Sequence, residues 1–134
     1  MTTSDAKKLA IIEALYAATG EGDFDKAETY LSDDLFICEA DELPFGGRIE
    51  GKTALRELFG KVMGMMDVAS LDVVQTVTGG DYAVTILSMR FQDPNLEPAL
   101  LCELFRFRDG KVCEIRPYYF SSLPVLAACE AKSR

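Results

Sequence analysis

Residues 99–119 read ALLCELFRFRDGKVCEIRPYY, two alternating runs hinged on Asp109-Gly110. Side chains that alternate with a period of two mark a strand with distinct faces. An Asp-Gly pair supplies the backbone angles of a two-residue hairpin turn. The pattern predicts strands over Ala99–Arg108 and Lys111–Tyr119. Working back along the chain, the same period runs from Tyr82 to Phe91 and from Val68 to Thr78. Gly79-Gly80-Asp81 makes the tight turn between those two, and Asp93-Pro94-Asn95 opens the next. Four consecutive antiparallel strands result, and such a meander needs a layer packed on one face.

The first half supplies that layer. Asp5–Thr19 carries Leu9, Ile12, Tyr16 and Thr19 on one helical stripe, widened by Ile11 and Leu15. Ser4 is its expected N-cap and Gly20 its stop. Asp23 caps a second short helix that runs to Leu31. After Ser32-Asp33-Asp34 comes a short strand, Leu35 to Glu39, and then a loop over Asp41–Arg48 containing Pro44, Gly46 and Gly47. Beyond Gly51-Lys52-Thr53, a third helix buries Leu55, Leu58, Phe59, Val62, Met63 and Met66. A tail from Leu123 to Ala128 forms a helical turn or more. Three helices followed by a curved antiparallel meander is an α+β layout, with residues 1–134 as a single domain.

Composition narrows the chemistry. There are 14 basic and 22 acidic residues, a net of −8, which disfavours nucleic acid and favours a neutral or cationic partner. No apolar run approaches the ~20 residues of a membrane span. The opening Met1-Thr2-Thr3-Ser4-Asp5 has no basic start with an apolar core behind it, so a cytoplasmic location and no membrane partner are expected. Cys38, Cys102, Cys113 and Cys129 are widely spaced and read as reduced thiols. The chain has no histidine, which removes His-based acid–base work, Ser-His and Cys-His pairs and nearly all transition-metal sites. No metal or cofactor is expected. Acid–base chemistry must rest on Asp, Glu, Tyr, Cys or Lys.

Strand parity then names candidates. Leu101, Glu103, Phe105 and Phe107 share one face of their strand, and two phenylalanines mark that face as interior. A carboxylate among aromatics is desolvated and favours its protonated form unless cations or donors compensate. The alternatives are that Glu103 is a surface residue or is paired structurally to an arginine. Leu35, Ile37 and Glu39 share a face in the short strand, so Glu39 points in if Ile37 does. A residue at a strand end is also a natural rim residue. On the second meander strand we assign Val84, Ile86, Ser88 and Arg90 to the interior, and on the fourth Cys113, Ile115, Pro117 and Tyr119. Arg90 is then within reach of either glutamate. Ala83, Thr85, Leu87 and Met89, with Leu100, Cys102 and Leu104, form the outer face, whose apolar character predicts a homodimer.

These residues have a familiar order. Tyr16 with Gly22-Asp23, Leu31-Ser32-Asp33-Asp34, and Leu43-Pro44-Phe45-Gly46-Gly47 before Gly51-Lys52 come first. Gly79-Gly80-Asp81-Tyr82-Ala83-Val84 and Phe105-Arg106-Phe107-Arg108-Asp109-Gly110-Lys111-Val112 follow. Over nearly its whole length the chain resembles the SnoaL-like, ketosteroid-isomerase-like branch of the nuclear-transport-factor-two-like superfamily. The resemblance implies a cone-shaped α+β barrel, with three N-terminal helices packed on a strongly curved antiparallel sheet. It implies that Glu39 stands where ketosteroid isomerases keep their aspartate base. Glu103 stands at the protonated aspartate of the oxyanion hole, Tyr16 near the oxyanion tyrosine, and Tyr119 at a pocket-lining aromatic. Both aspartates have become glutamates here, and Arg90 falls on the face assigned to the pocket. Both departures argue against a strict steroid isomerase.

The leading expectation is therefore an isomerase or cyclase for a small apolar, carbonyl-containing molecule. Glu39 is its base, neutral Glu103 and Tyr16 are the oxyanion donors, and Arg90, Ser88, Ile86, Phe105, Phe107 and Tyr119 line the site. A second expectation is a non-catalytic dimeric module that binds an apolar ligand or a protein. A third is an epoxide-hydrolase-like site, which requires Arg90 and Glu103 to converge.

Overall fold

The computed structural model describes residues 3–134. Its elements are α1 (Asp5–Gly20), α2 (Phe24–Glu28), β1 (Leu31–Glu39), β2 (Gly47–Glu50), α3 (Ala54–Met65), β3 (Val68–Gly79), β4 (Tyr82–Phe91), β5 (Ala99–Arg108), β6 (Lys111–Tyr119) and α4 (Leu123–Ser133). Asp109 and Gly110 adopt φ of 53° and 77°, as the two-residue turn demands, and Arg108 pairs with Lys111 across it. Gly80, at φ 54°, does the same between Gly79 and Tyr82. The side chains of Ser4 and Asp23 accept hydrogen bonds from the backbone N–H groups of Lys7 and Lys26, capping the first two helices.

The sheet is curved and unclosed, in the order β2-β1-β6-β5-β4-β3. Every neighbouring pair is antiparallel except β1 with β6, which run parallel. The helices cover its concave face. Ile12 and Leu15 of α1 and Leu55 and Leu58 of α3 close over Leu87, Leu101, Phe105 and Ile115. Among the described residues, no helix is long and apolar enough to cross a membrane.

Several local expectations shift. Helix α2 ends at Glu28, and Leu31-Ser32-Asp33-Asp34 is already extended in β1. Leu31 and Leu35 gain complete burial there, and Leu31 pairs with Val112 of β6, which outweighs any helical preference of this segment. The loop before α3 ends in a further edge strand, β2. Its tight reversal needs Gly46, where a Cβ would lie 2.3 Å from the Ala40 carbonyl oxygen. On α1 Leu9 is exposed, and Lys8 is buried instead. The Lys8 ammonium donates to the Gly80 carbonyl and pairs with Asp5 at 3.0 Å, tying the helix to the β3–β4 turn. A bulge between Arg106 and Phe107 lets Val112 and the following Cys113 both be buried, which breaks simple alternation at the start of β6.

The largest correction concerns β4. Ala83, Thr85, Leu87, Met89 and Phe91 are buried, and Ile86 and Arg90 are exposed, opposite to the parity assigned above. Residues paired across an antiparallel ladder share a face. Thr85 lies opposite Glu103 and Leu87 opposite Leu101, so the interior face of β5 fixes that of β4. Leu100, Cys102 and Leu104 do face outward, and their neighbours there are Val84, Ile86 and Ser88.

Candidate functional site

A cavity of about 80 Å³ lies between the helices and the concave face. Glu39 and Glu103 reach it from two strands that flank β6. Glu103 pairs with Pro117, and Ile37 pairs with Ile115 on the other side of β6, which places Glu39 alongside Pro117 too. Proline has no N–H to give a neighbouring strand, and the β1–β6 pairing ends at Ile37 and Ile115. Pro117 thus sits where β1 parts from β6. Neighbouring strands are ~4.8 Å apart, so the two glutamate Cα atoms stand roughly 10 Å apart with both side chains on the cavity side.

Their surroundings differ. The Tyr16 hydroxyl, carried in from α1, donates to Glu103 Oε1 at 2.5 Å. The Tyr16 ring stands edge-on to Phe105, with centroids 6.1 Å apart. Glu39 is only 8% exposed, and its Oε1 has no hydrogen-bond partner. Burial above all pushes the Glu39 carboxyl up to about 8, and Glu103 adds to the rise whenever it is ionised. Burial also raises Glu103, and the Tyr16 hydrogen bond opposes part of that rise. Glu103 retains some free surface, but that surface opens onto the cavity, so its desolvation stands. Burial and the neighbouring glutamates hold the hydroxyls of Tyr16 and Tyr119 firmly protonated. Two carboxyls in a shared apolar chamber disfavour double ionisation.

The structure brings together Glu39, Glu103, Tyr16, Phe105 and Tyr119 around one cavity. Phe107 is buried on the same face but lies further along β5, beside Val112, and does not line the cavity. Ile86, Ser88 and Arg90 are on the other side of the sheet. Arg90 bonds Asp72 at 2.5 Å, with both side chains half-exposed, and the arrangement that epoxide opening requires is absent. In their place Leu87 and Met89 line the site, with Phe59 and Met63 from α3 and Val68 and Leu71 from β3. Ladder pairing with Glu103 is the signal that would have found the β4 residues. That same rung supplies Thr85, fully buried, whose hydroxyl lies 2.9 Å from that of Thr76.

Two openings flank the chamber. Tyr16, Thr19, Phe59, Met63, Val68 and Leu71 continue it into a surface groove. Glu39, Pro117 and Tyr119 also border a cleft leading to Arg48 and Arg116. Those arginines are engaged by Glu50 and Glu114, and among the described residues no cation pairs with Glu39. No group of three described His, Cys, Asp or Glu residues is placed to hold a metal ion. The arrangement suits proton transfer on a mainly apolar molecule.

Comparison with known proteins agrees with this architecture. The family model described as a SnoaL-like domain matches residues 12–115. Among curated proteins, none matches the sequence. Solved structures of the same fold include an NTF2-like protein from Burkholderia xenovorans LB400, 22% identical, covering 94% of this chain and 98% of its own, with a TM-score of 0.78. Another is TerC, co-crystallised with polyporic acid, 15% identical, covering 92% and 98%, with a TM-score of 0.80. A protein with a cystatin-like fold from Xanthomonas campestris is 19% identical, covering 90% and 95%, with a TM-score of 0.75.

Proposed function

The chain belongs to the SnoaL-like domain family, and on that premise we propose that it is a cofactor-independent enzyme that moves a proton next to a carbonyl, as an isomerase or cyclase does. Glu39 takes the proton. The C–H electron pair passes to the carbonyl oxygen, and the resulting enolate accepts hydrogen bonds from Tyr16 and from neutral Glu103. Glu39 then returns the proton at another carbon, or the enolate attacks a second carbonyl. The observation that carries this reading is the buried, unpartnered Glu39 Oε1 in the same chamber as the Tyr16–Glu103 pair. A base with a pKa near the working pH combines availability with proton affinity, and a value of about 8 meets that condition.

The test is an enone-isomerisation and aldol-cyclisation screen of the wild type, Glu39→Gln and Glu103→Gln. For any substrate that turns over, each substitution should cost ~100–1000-fold. The wild-type rate should climb with pH towards about 8 as Glu39 ionises. Unchanged turnover in both variants sinks the assignment.

A second reading, a binding module that holds its ligand unchanged, draws support from TerC, a protein of the same fold co-crystallised with a small molecule. The same variants separate the two, because a binder has no turnover to lose. In either reading we place a homodimer interface on the outer sheet face, where Ile86, Leu100 and Tyr118 expose apolar surface beside Cys102 and Leu104. Sedimentation should show a dimer in the wild type and a monomer in the double variant Ile86→Asp, Leu100→Asp. A monomeric wild type removes this interface.

A further inference from the structure

Among the described residues, the chamber is lined by two carboxyls, two phenols and no basic side chain. Its titratable lining is Tyr16 from α1, Glu39 from β1, Glu103 from β5 and Tyr119 from β6. The residues contributed by α3, β3 and β4 are apolar. Buried acids elsewhere in proteins are matched by a cation or by donors. Here Tyr16 serves one oxygen of Glu103, and nothing serves Glu39 Oε1. Among the described residues, the cations bordering the adjoining cleft are Arg48 and Arg116, held by Glu50 and Glu114. No described side chain answers Glu39 Oε1, which leaves that acceptor open to a proton or to a ligand.

We infer that the ligand of this cavity is a compact apolar molecule carrying a protonated amine, with its ammonium group beside Glu39 Oε1 and its apolar body against Phe59, Phe105 and Tyr119. Three observations converge on that chemistry. The orphaned acceptor is more than nine-tenths buried and belongs to the chamber wall. Aromatic rings line the same space, and their faces attract an ammonium ion. A net charge of −8 draws cations towards the protein and repels acids. A carboxylate ligand would meet two carboxyl groups and no counter-ion among the described lining residues. This inference rests on the site proposed above and names its substrate class: an amine-bearing carbonyl compound, whose ammonium group compensates one carboxylate while proton transfer occurs nearby.

Binding has a proton signature. Glu39 is mostly protonated at neutral pH, and pairing it with an ammonium ion expels that proton to solvent. Amine affinity should therefore rise about tenfold per pH unit below about 8 and level off above it.

The experiment is calorimetric titration of the full chain with benzylamine, isobutylamine, benzyl alcohol and benzoate at pH 6.5, 7.5 and 8.5, in buffers of differing ionisation enthalpy. At the highest pH an amine should bind at least tenfold tighter than benzyl alcohol, and benzoate should not bind. At the lowest pH close to one proton should be released per amine. Glu39→Gln should abolish the preference for amine over benzyl alcohol and the proton release that accompanies amine binding. If that variant does not fold, the wild-type pH series and proton count decide alone. Equal affinity for amine and alcohol, no amine binding, or a preference that survives Glu39→Gln overturns the inference. Turnover of a neutral enone without amine binding would sink this inference and leave the proposed reaction standing. Amine binding with undiminished turnover in Glu39→Gln would do the reverse.

Discussion

Glu39 and Glu114 stand on adjacent strands of one sheet and lead opposite lives. Glu114 faces outward, receiving Arg106 Nε at 2.8 Å and Arg116 Nε at 3.0 Å. Across the ladder is Phe36, whose ring lies 3.9 Å from the Arg48 guanidinium carbon and 5.9 Å from that of Arg106. Burial pushes Glu114 up, but the hydrogen bonds from Arg106 and Arg116 more than offset it, and its carboxyl lies below the ordinary range. Glu39 faces the chamber, where burial has no such answer and the carboxyl rises to about 8. The residue type is the same and the strands are neighbours. What differs is the supply of cations, none of which lines the chamber among the described residues. A structural carboxylate is one whose partners are already present. A candidate reactive one has been left without them.

The sharpest way to break that contrast is Glu39→Gln in a stability measurement. A folded-state value of about 8 against an ordinary 4.5 means the native protein holds this proton more tightly than the unfolded chain. Its stabilising contribution is complete below about 4.5 and is lost as pH rises through about 8. At about 1.4 kcal/mol per unit the loss is capped near 5 kcal/mol, and water in the cavity trims it, so roughly 3–5 kcal/mol is expected. Denaturant unfolding at pH 5 and pH 9 should show that fall in the wild type. Most of it should vanish in the Gln variant, which stays uncharged. A slope of the same sign from Glu103, also raised by burial, should remain. An unaltered slope in the variant would mean that Glu39 ionises normally.

How much of this was legible in the chain follows the same division. The β5–β6 hairpin, the β3–β4 turn and the caps at Ser4 and Asp23 could be read because the information is local. The inward face of β5 could be read because Phe105 and Phe107 mark it, and Glu103 lies on that face. Strand β4 misled because both of its faces carry apolar residues, Val84 and Ile86 on one and Leu87 and Met89 on the other. Only its pairing with β5 decides, and the Gln92–Pro98 connection conceals that register in the sequence. The same blindness hid Lys8, whose buried position depends on a carbonyl 72 residues away at Gly80. Alternation also could not show the bulge at Val112 and Cys113. Propensity and period speak of neighbours along the chain, whereas the ownership of a cavity wall is settled between strands.

The smallest expected effect tests the other half of the comparison, through the same chemical change on the outer face. Glu114→Gln keeps the shape and removes the charge that Arg106 and Arg116 share. Both arginines are partly exposed and can turn to water, so the cost at neutral pH should be about 1 kcal/mol. Its pH dependence must run opposite to that of Glu39. The folded-state value is depressed, so the ion pairs stabilise the protein above the ordinary carboxylate range and are lost as pH falls through the folded value. The gap between wild type and Glu114→Gln should therefore close in acid, whereas the gap for Glu39→Gln opens in base. Salt should shrink the first, since partly exposed pairs are screened, and spare the second. If Glu114→Gln instead destabilised the protein equally at pH 3 and pH 7, its carboxylate would owe nothing to the arginines, and the outer face would lose its standing as the compensated counterpart of the chamber.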